Sequence, residues 1–265
     1  MNISKTDAIP TAVVTGGASG IGEAAARRFV QAGWTVVIAD VNDARGHSVV
    51  DDLNAAGGKV SYRHLDVTSE AEVNSCVDAV YEQFGPVAAL VNSGGILQNA
   101  VFTTKMDIAE YDRIMDVNVK GTLLVSRAFG ARMAVAGQGS IVNLASLSSF
   151  IAFPHPAYAL SKAAVLRLTE IMACELGPRG VRVNAVAPGY TLTPAMQSRI
   201  DKGERDPAAV LSKSALRRFV QPAEVGEAIF FLCSPAATAI TGVILPVDCG
   251  WLVYSSYSAA ASQPS

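Results

Sequence analysis

Short, nearly continuous apolar runs alternate along this chain with longer segments whose apolar positions recur every three or four residues. The short runs are residues 12–15, 35–39, 60–65, 87–91, 140–144, 181–186 and 242–247. Rich in β-branched residues, they predict strands, and their lack of polar alternation predicts strands covered on both faces, as in a parallel sheet between helical layers. The segments with helical spacing are 21–32, 43–56, 69–84, 108–135, 158–176 and 223–232. Gly33, Gly57 and Gly177 stand where a left-handed residue ends a helix. The β-α alternation, unbroken by a Pro- or Ser-rich linker or a repeat, predicts one α/β domain over residues 11–251, doubly wound around a parallel sheet. A polar extension (1–10) precedes it and a small-residue tail (252–265) follows it. Residues 191–215 mix Pro194 and Pro207 with amphipathic pieces after a strand, and are read as an inserted substrate lid.

Composition narrows the picture. Of 265 residues, 50% are hydrophobic and 17% charged, which predicts a large core and excludes a mostly disordered chain. A net charge of -2 gives no basic field for a phosphate backbone or an anionic membrane, so neither nucleic acid nor membrane is an expected partner. The first ten residues lack the apolar core of a secretory signal, and the expected location is the cytoplasm. Two uncharged stretches, 133–161 and 228–247, are interrupted by Gly, Ser and Pro and read as buried segments rather than bilayer spans. Cys76, Cys174, Cys233 and Cys249 form no C-x-x-C pair, and His47, His64 and His155 stand apart, so no metal site is expected.

Chemistry first shows at Thr15-Gly16-Gly17-Ala18-Ser19-Gly20-Ile21-Gly22, between the first strand and the first helix. Glycines there let backbone approach a pyrophosphate, whose charge meets the N–H groups and positive end of the helix. Asp40 closes the second strand, where a carboxylate accepts from ribose hydroxyls and repels a 2′-phosphate. No cation stands at Ser19, Val41 or Asn42, so NAD is expected over NADP; Arg45, one helical turn on, is the side chain able to reach such a phosphate. The second constellation is Tyr158 and Lys162, which an i to i+4 spacing puts on one helix face. Ser146 and Ser148 follow the strand 140–144, placing a hydroxyl across the cleft from the phenol.

From about residue 11 to 251 the chain resembles the short-chain dehydrogenase/reductase family. The glycine loop matches its T-G-x-x-x-G-x-G pattern, and Tyr158 with Lys162 its Y-x-x-x-K. The resemblance implies a Rossmann-like fold and a catalytic set of Asn118, Ser146, Tyr158 and Lys162. Tyr158 is then the general acid/base and Ser146 holds the substrate oxygen, while Lys162 favours the phenolate and binds the nicotinamide ribose. Asn118 holds a water toward Lys162. For the dinucleotide it implies contacts from Gly16, Ser19, Gly20, Ile21, Gly22, Asp40, Asp66, Val67, Asn92, Ser93 and Gly94, with Tyr158, Lys162, Pro188, Gly189, Thr191 and Thr193 on the nicotinamide side. Asn92-Ser93-Gly94-Gly95 departs from the usual N-N-A-G, and the Ser146–Tyr158 interval is one shorter than is common, which leaves Ser148 as a weaker competitor. Substrate contacts are expected from Ser146, Ser148, Gln98, His155, Tyr158 and Tyr190, flanked by Phe153, Leu192 and Met196. Mostly neutral, these predict an uncharged secondary alcohol or ketone of the polyol, sugar or small cyclic class. The alternatives are a 3-oxoacyl thioester reductase, which would prefer NADPH and a basic docking patch among Arg127, Arg132 and Arg167, and a non-catalytic dinucleotide-binding regulator. Apolar residues beyond one buried face on segments 108–135 and 158–176 predict a homo-oligomer, and the resemblance implies a tetramer or a dimer.

Overall fold

A computed structural model describes residues 9–260; residues 1–8 of the polar extension and 261–265 of the tail lie outside the described part. Seven parallel strands form one sheet: β1 (Thr11–Thr15), β2 (Thr35–Asp40), β3 (Lys59–His64), β4 (Val87–Asn92), β5 (Gly139–Leu144), β6 (Val181–Pro188) and β7 (Ile244–Val247). Their spatial order is β3-β2-β1-β4-β5-β6-β7, which reverses between β1 and β4. At that switch the connections leave toward opposite faces and open a crevice beyond the strands' carboxyl ends. The fold is the doubly wound, Rossmann-like sheet expected.

Strand alternation divides the core. Ala12, Val14, Val36 and Ile38 point to one face and pack with α1 (Gly20–Gln31), α2 (Asp43–Ala55) and α9 (Pro222–Cys233) through Phe29, Leu53 and Ile229. Val13, Val37, Leu90 and Ile141 point to the other and meet α3 (Glu70–Phe84), α5 (Thr122–Ala136) and α6 (Pro156–Leu176) through Val77, Phe129 and Met172. Burial on both faces is the reason the strands read as unbroken apolar runs.

Three expectations change. The segment 108–135 is not one helix: α4 (Ile108–Met115) passes through a π-helical turn, Asp116–Gly121, before α5. Gly177 is right-handed, with φ -55°, and the chain continues through a 3-10 turn to Gly180 at φ +76°; Pro178 is tolerated at the start of a turn, where no N–H is needed. The tail expected from residue 252 is helical through 260, as α10 (Trp251–Ala260). Asp248 anchors that helix, its carboxylate accepting from the Gly250 and Leu252 amides at 2.8 Å each. Residues 191–215 carry α7 (Pro194–Asp201) and α8 (Pro207–Leu211). No helix among the described residues is long and apolar enough to cross a membrane.

Candidate active site

The crevice opens into two adjoining cavities. The first, about 590 Å³, is lined by Gly16, Ser19, Gly20, Ile21, Asp40, Asp66, Val67, Ser93 and Gly94, then by Tyr158, Lys162, Pro188, Gly189, Thr191 and Thr193. Gly16 adopts φ +62°, and a Cβ there would lie 2.6 Å from the Gly94 Cα, so the loop packs against the backbone just after β4, where only glycine fits. Asp40 sits at its far end with one oxygen accepting from the Ala18 amide at 3.1 Å and the other from the Asn42 amide at 3.0 Å. Arg45 is turned away, its Nη2 donating to Glu23 at 2.8 Å.

Two expected contacts lie behind this cavity. Gly22 packs on the Gly16 carbonyl, where a Cβ would collide. Asn92 is buried, and its amide donates to Ser126 Oγ at 2.7 Å and to Asn143 Oδ1 at 2.8 Å, a polar network under the sheet's end.

The second cavity, about 510 Å³, shares Ser146, Tyr158 and Met196 with the first and adds Gln98, Ser148, Phe153, His155 and Tyr190. Leu192 lines neither cavity. Its amide extends the chain by donating to the Val220 carbonyl at 2.8 Å. Three residues not foreseen line this cavity from the segment after β6: Arg199, Glu204 and Arg205.

Where the cavities meet, the turn after β5 and the start of α6 bring Ser146 and Tyr158 together. The Ser146 hydroxyl accepts from the Ser148 amide at 3.2 Å and stands beside the Tyr158 phenol, whereas Ser148 Oγ faces His155 Nε2 at 3.1 Å. That separation favours Ser146 over Ser148 beside the phenol. Burial pushes the Tyr158 pKa up, and the neighbouring Ser146 hydroxyl opposes it. Lys162 Nζ lies 5.6 Å from the centre of the Tyr158 ring and donates to the Leu144 carbonyl at 2.7 Å. Burial alone lowers its pKa to about 8. The Asn118 side chain, at the π turn, is spent on structure: its Oδ1 accepts from the Ile96 amide at 2.8 Å, and its Nδ2 donates to the Ile96 carbonyl and to Ser161 Oγ, both at 3.0 Å. Gln98 Oε1 accepts from the Tyr158 amide at 3.3 Å, tying the same loop to the start of α6. His155 stacks on Phe153 with ring centres 5.3 Å apart. Burial, followed by Arg205 and Arg199, holds its pKa below the ordinary value.

The chain matches over residues 16–252 the family model described as enoyl-(acyl carrier protein) reductase. It is 36% identical over 242 residues to the 3-oxoacyl-(acyl-carrier-protein) reductase FabG of Thermotoga maritima, covering 91% of this chain and 97% of that protein. It is 37% identical over 241 residues to cyclopentanol dehydrogenase of Comamonas sp., covering 90% and 95%. A short-chain type dehydrogenase/reductase from Mycobacterium ulcerans superposes with a TM-score of 0.86 at 32% identity, covering 93% and 91%. With these likenesses and the doubly wound sheet, the chain belongs to the short-chain dehydrogenase/reductase family. Its general activity is that of an NAD(P)-dependent oxidoreductase acting on small alcohols or ketones.

Proposed function

We propose that this protein is an NAD-preferring dehydrogenase of secondary alcohols and ketones, working in the cytoplasm through Ser146, Tyr158, Lys162 and Asn118. The meeting of Ser146 and Tyr158 at the wall shared by the two cavities carries the reading. A bound nicotinamide supplies the hydride acceptor or donor. Tyr158 takes the hydroxyl proton during oxidation and returns it during reduction. Ser146 donates to the substrate oxygen as its charge changes. The Lys162 ammonium favours the phenolate electrostatically, a charge that the burial of both groups otherwise opposes. Asn118 holds the Ile96 loop against α6 and so keeps Lys162 in register.

The NAD preference is supported by Asp40 at the ribose end and by the Glu23 carboxylate that occupies Arg45. The thioester-reductase reading has less support: Arg127 pairs with Glu70, Arg132 with Asp78 and Arg167 with Glu170, which dilutes the expected basic patch. The regulator reading leaves the paired Ser146 and Tyr158 without a task. The exposed apolar side chains of α5 and α6 support a tetramer or dimer.

The test is reduced-nicotinamide absorbance with a panel of secondary alcohols and ketones. Tyr158→Phe is expected to bind NADH yet lose more than ~10²-fold in turnover, and NADP is expected to be at least roughly tenfold poorer than NAD in kcat/KM, a difference of ~1.4 kcal/mol. Near-normal turnover of Tyr158→Phe overturns the catalytic assignment, and equal use of the two dinucleotides overturns the preference.

A further inference from the structure

The substrate-side cavity is lined by two arginines and Glu204, charges that the sequence reading of a neutral pocket did not foretell. One backbone turn delivers both arginines. At the end of α7 the Gly203 amide donates to the Ile200 carbonyl and the Glu204 amide to the Arg199 carbonyl, each at 2.9 Å. This pair of bonds closes a helix on a left-handed residue, and Gly203 supplies that residue at φ +71°. Arg199 lies in the last turn of α7 and Arg205 just past the reversal, and both line the cavity that Ser146 and Tyr158 share.

The two differ in how far they are satisfied. Arg199 donates an Nη to the Asn99 side chain at 3.0 Å. Arg205 has its guanidinium carbon 5.7 Å from the centre of the Tyr190 ring, and its Nε is buried without a hydrogen-bond partner among the described residues. Buried N–H groups in folded proteins are usually paired, so a guanidinium whose Nε has no protein acceptor is not committed to the fold and is left to a ligand of the cavity that Arg205 lines. Glu204 lines the same cavity, yet within the described residues neither arginine is ion-paired, in contrast to Arg218, which Glu224 holds at 2.7 Å.

We propose that the substrate is a hydroxy acid or its oxo-acid partner, its carboxylate held by Arg205 and Arg199 while its carbinol or carbonyl carbon lies at Ser146 and Tyr158. The planar carboxylate is the anion that a guanidinium edge meets through two parallel N–H bonds. The inference rests on the dehydrogenase reading and replaces its neutral substrate class with an anionic one.

The test compares acetoacetate, levulinate and their longer homologues, each against its methyl ester, with NADH and the full chain. At least one acid is expected to exceed its ester by roughly tenfold or more in kcat/KM, the range of a charge-assisted hydrogen bond. Arg205→Gln is expected to bring that ratio down toward one by raising KM for the acid, and Arg205→Lys, which keeps the charge but loses the fork, to fall between. The ratio is internal to each variant, so a smaller folded fraction cancels out of it. Esters turned over as well as acids, or an acid preference untouched by Arg205→Gln, overturns the inference and leaves the dehydrogenase reading standing. No turnover of any ketone by a chain that binds NADH overturns both.

Discussion

Lys162 places a charge where burial opposes it. Its folded pKa of about 8 lies below the ordinary lysine value of about 10.5. Below pH 8 the amine is protonated in both folded and unfolded chains, and the folded state bears the whole penalty, ~3 kcal/mol. Between pH 8 and 10.5 the folded state sheds its proton first, and the penalty disappears as pH rises. Lys162→Met removes the charge and also the hydrogen bond to the Leu144 carbonyl, which returns about 1 kcal/mol. The variant is therefore expected to be more stable at pH 7 by about 2 kcal/mol, or roughly 4–8 °C in Tm, while losing turnover. Thermal unfolding across pH checks this, since the gap should close toward pH 10.5; a gap that is absent or independent of pH contradicts it. Stability given up at an active site for a needed charge is a common trade.

At the scale of elements, the legible parts are those that repeat. Period and β-branching mark the strands, and the i to i+4 spacing puts Tyr158 and Lys162 on α6. The π turn at Asn118 is not legible, because it inserts a residue into the helical ladder without altering the apolar pattern of segments 108–135. The substrate-side arginines were missed for a related reason: on an amphipathic segment a cation reads as solvent-facing. A signal was available in Gly203, a helix-ending glycine that reverses the chain between Arg199 and Arg205. The π turn makes its own prediction. Asn118 satisfies both the amide and the carbonyl of Ile96, so Asn118→Ala strands two half-buried groups and is expected to cost about 1–3 kcal/mol. Urea unfolding measures the loss, and hydrogen exchange should quicken at the Ile96 amide more than in β4. Uniform acceleration along both would contradict the clamp.

Over the whole molecule, the fold was legible because one physical fact, burial of the sheet on both faces, writes itself into every strand. The proposed assembly is less legible, since it depends on what the helices leave outside. The inner sides of α5 and α6 bury Val125, Phe129, Val165 and Met172, yet Leu123 remains 42% exposed on α5, with Leu160 54% and Ile171 48% exposed on α6. Single exposed apolar residues are ordinary in a monomer. Here they fall on two adjacent long helices of a chain with few charges, and a stable interface needs about 800 Å² on each partner, an area that two such helices can supply. Charge placed on that face should therefore separate the copies and leave the sheet intact. The double variant Leu123→Asp with Ile171→Asp is expected to sediment as a single chain at micromolar protein where the parent sediments as a tetramer or dimer, with the far-ultraviolet dichroism of both alike. A parent that is already monomeric, or a double variant that still assembles, rules this face out as the interface.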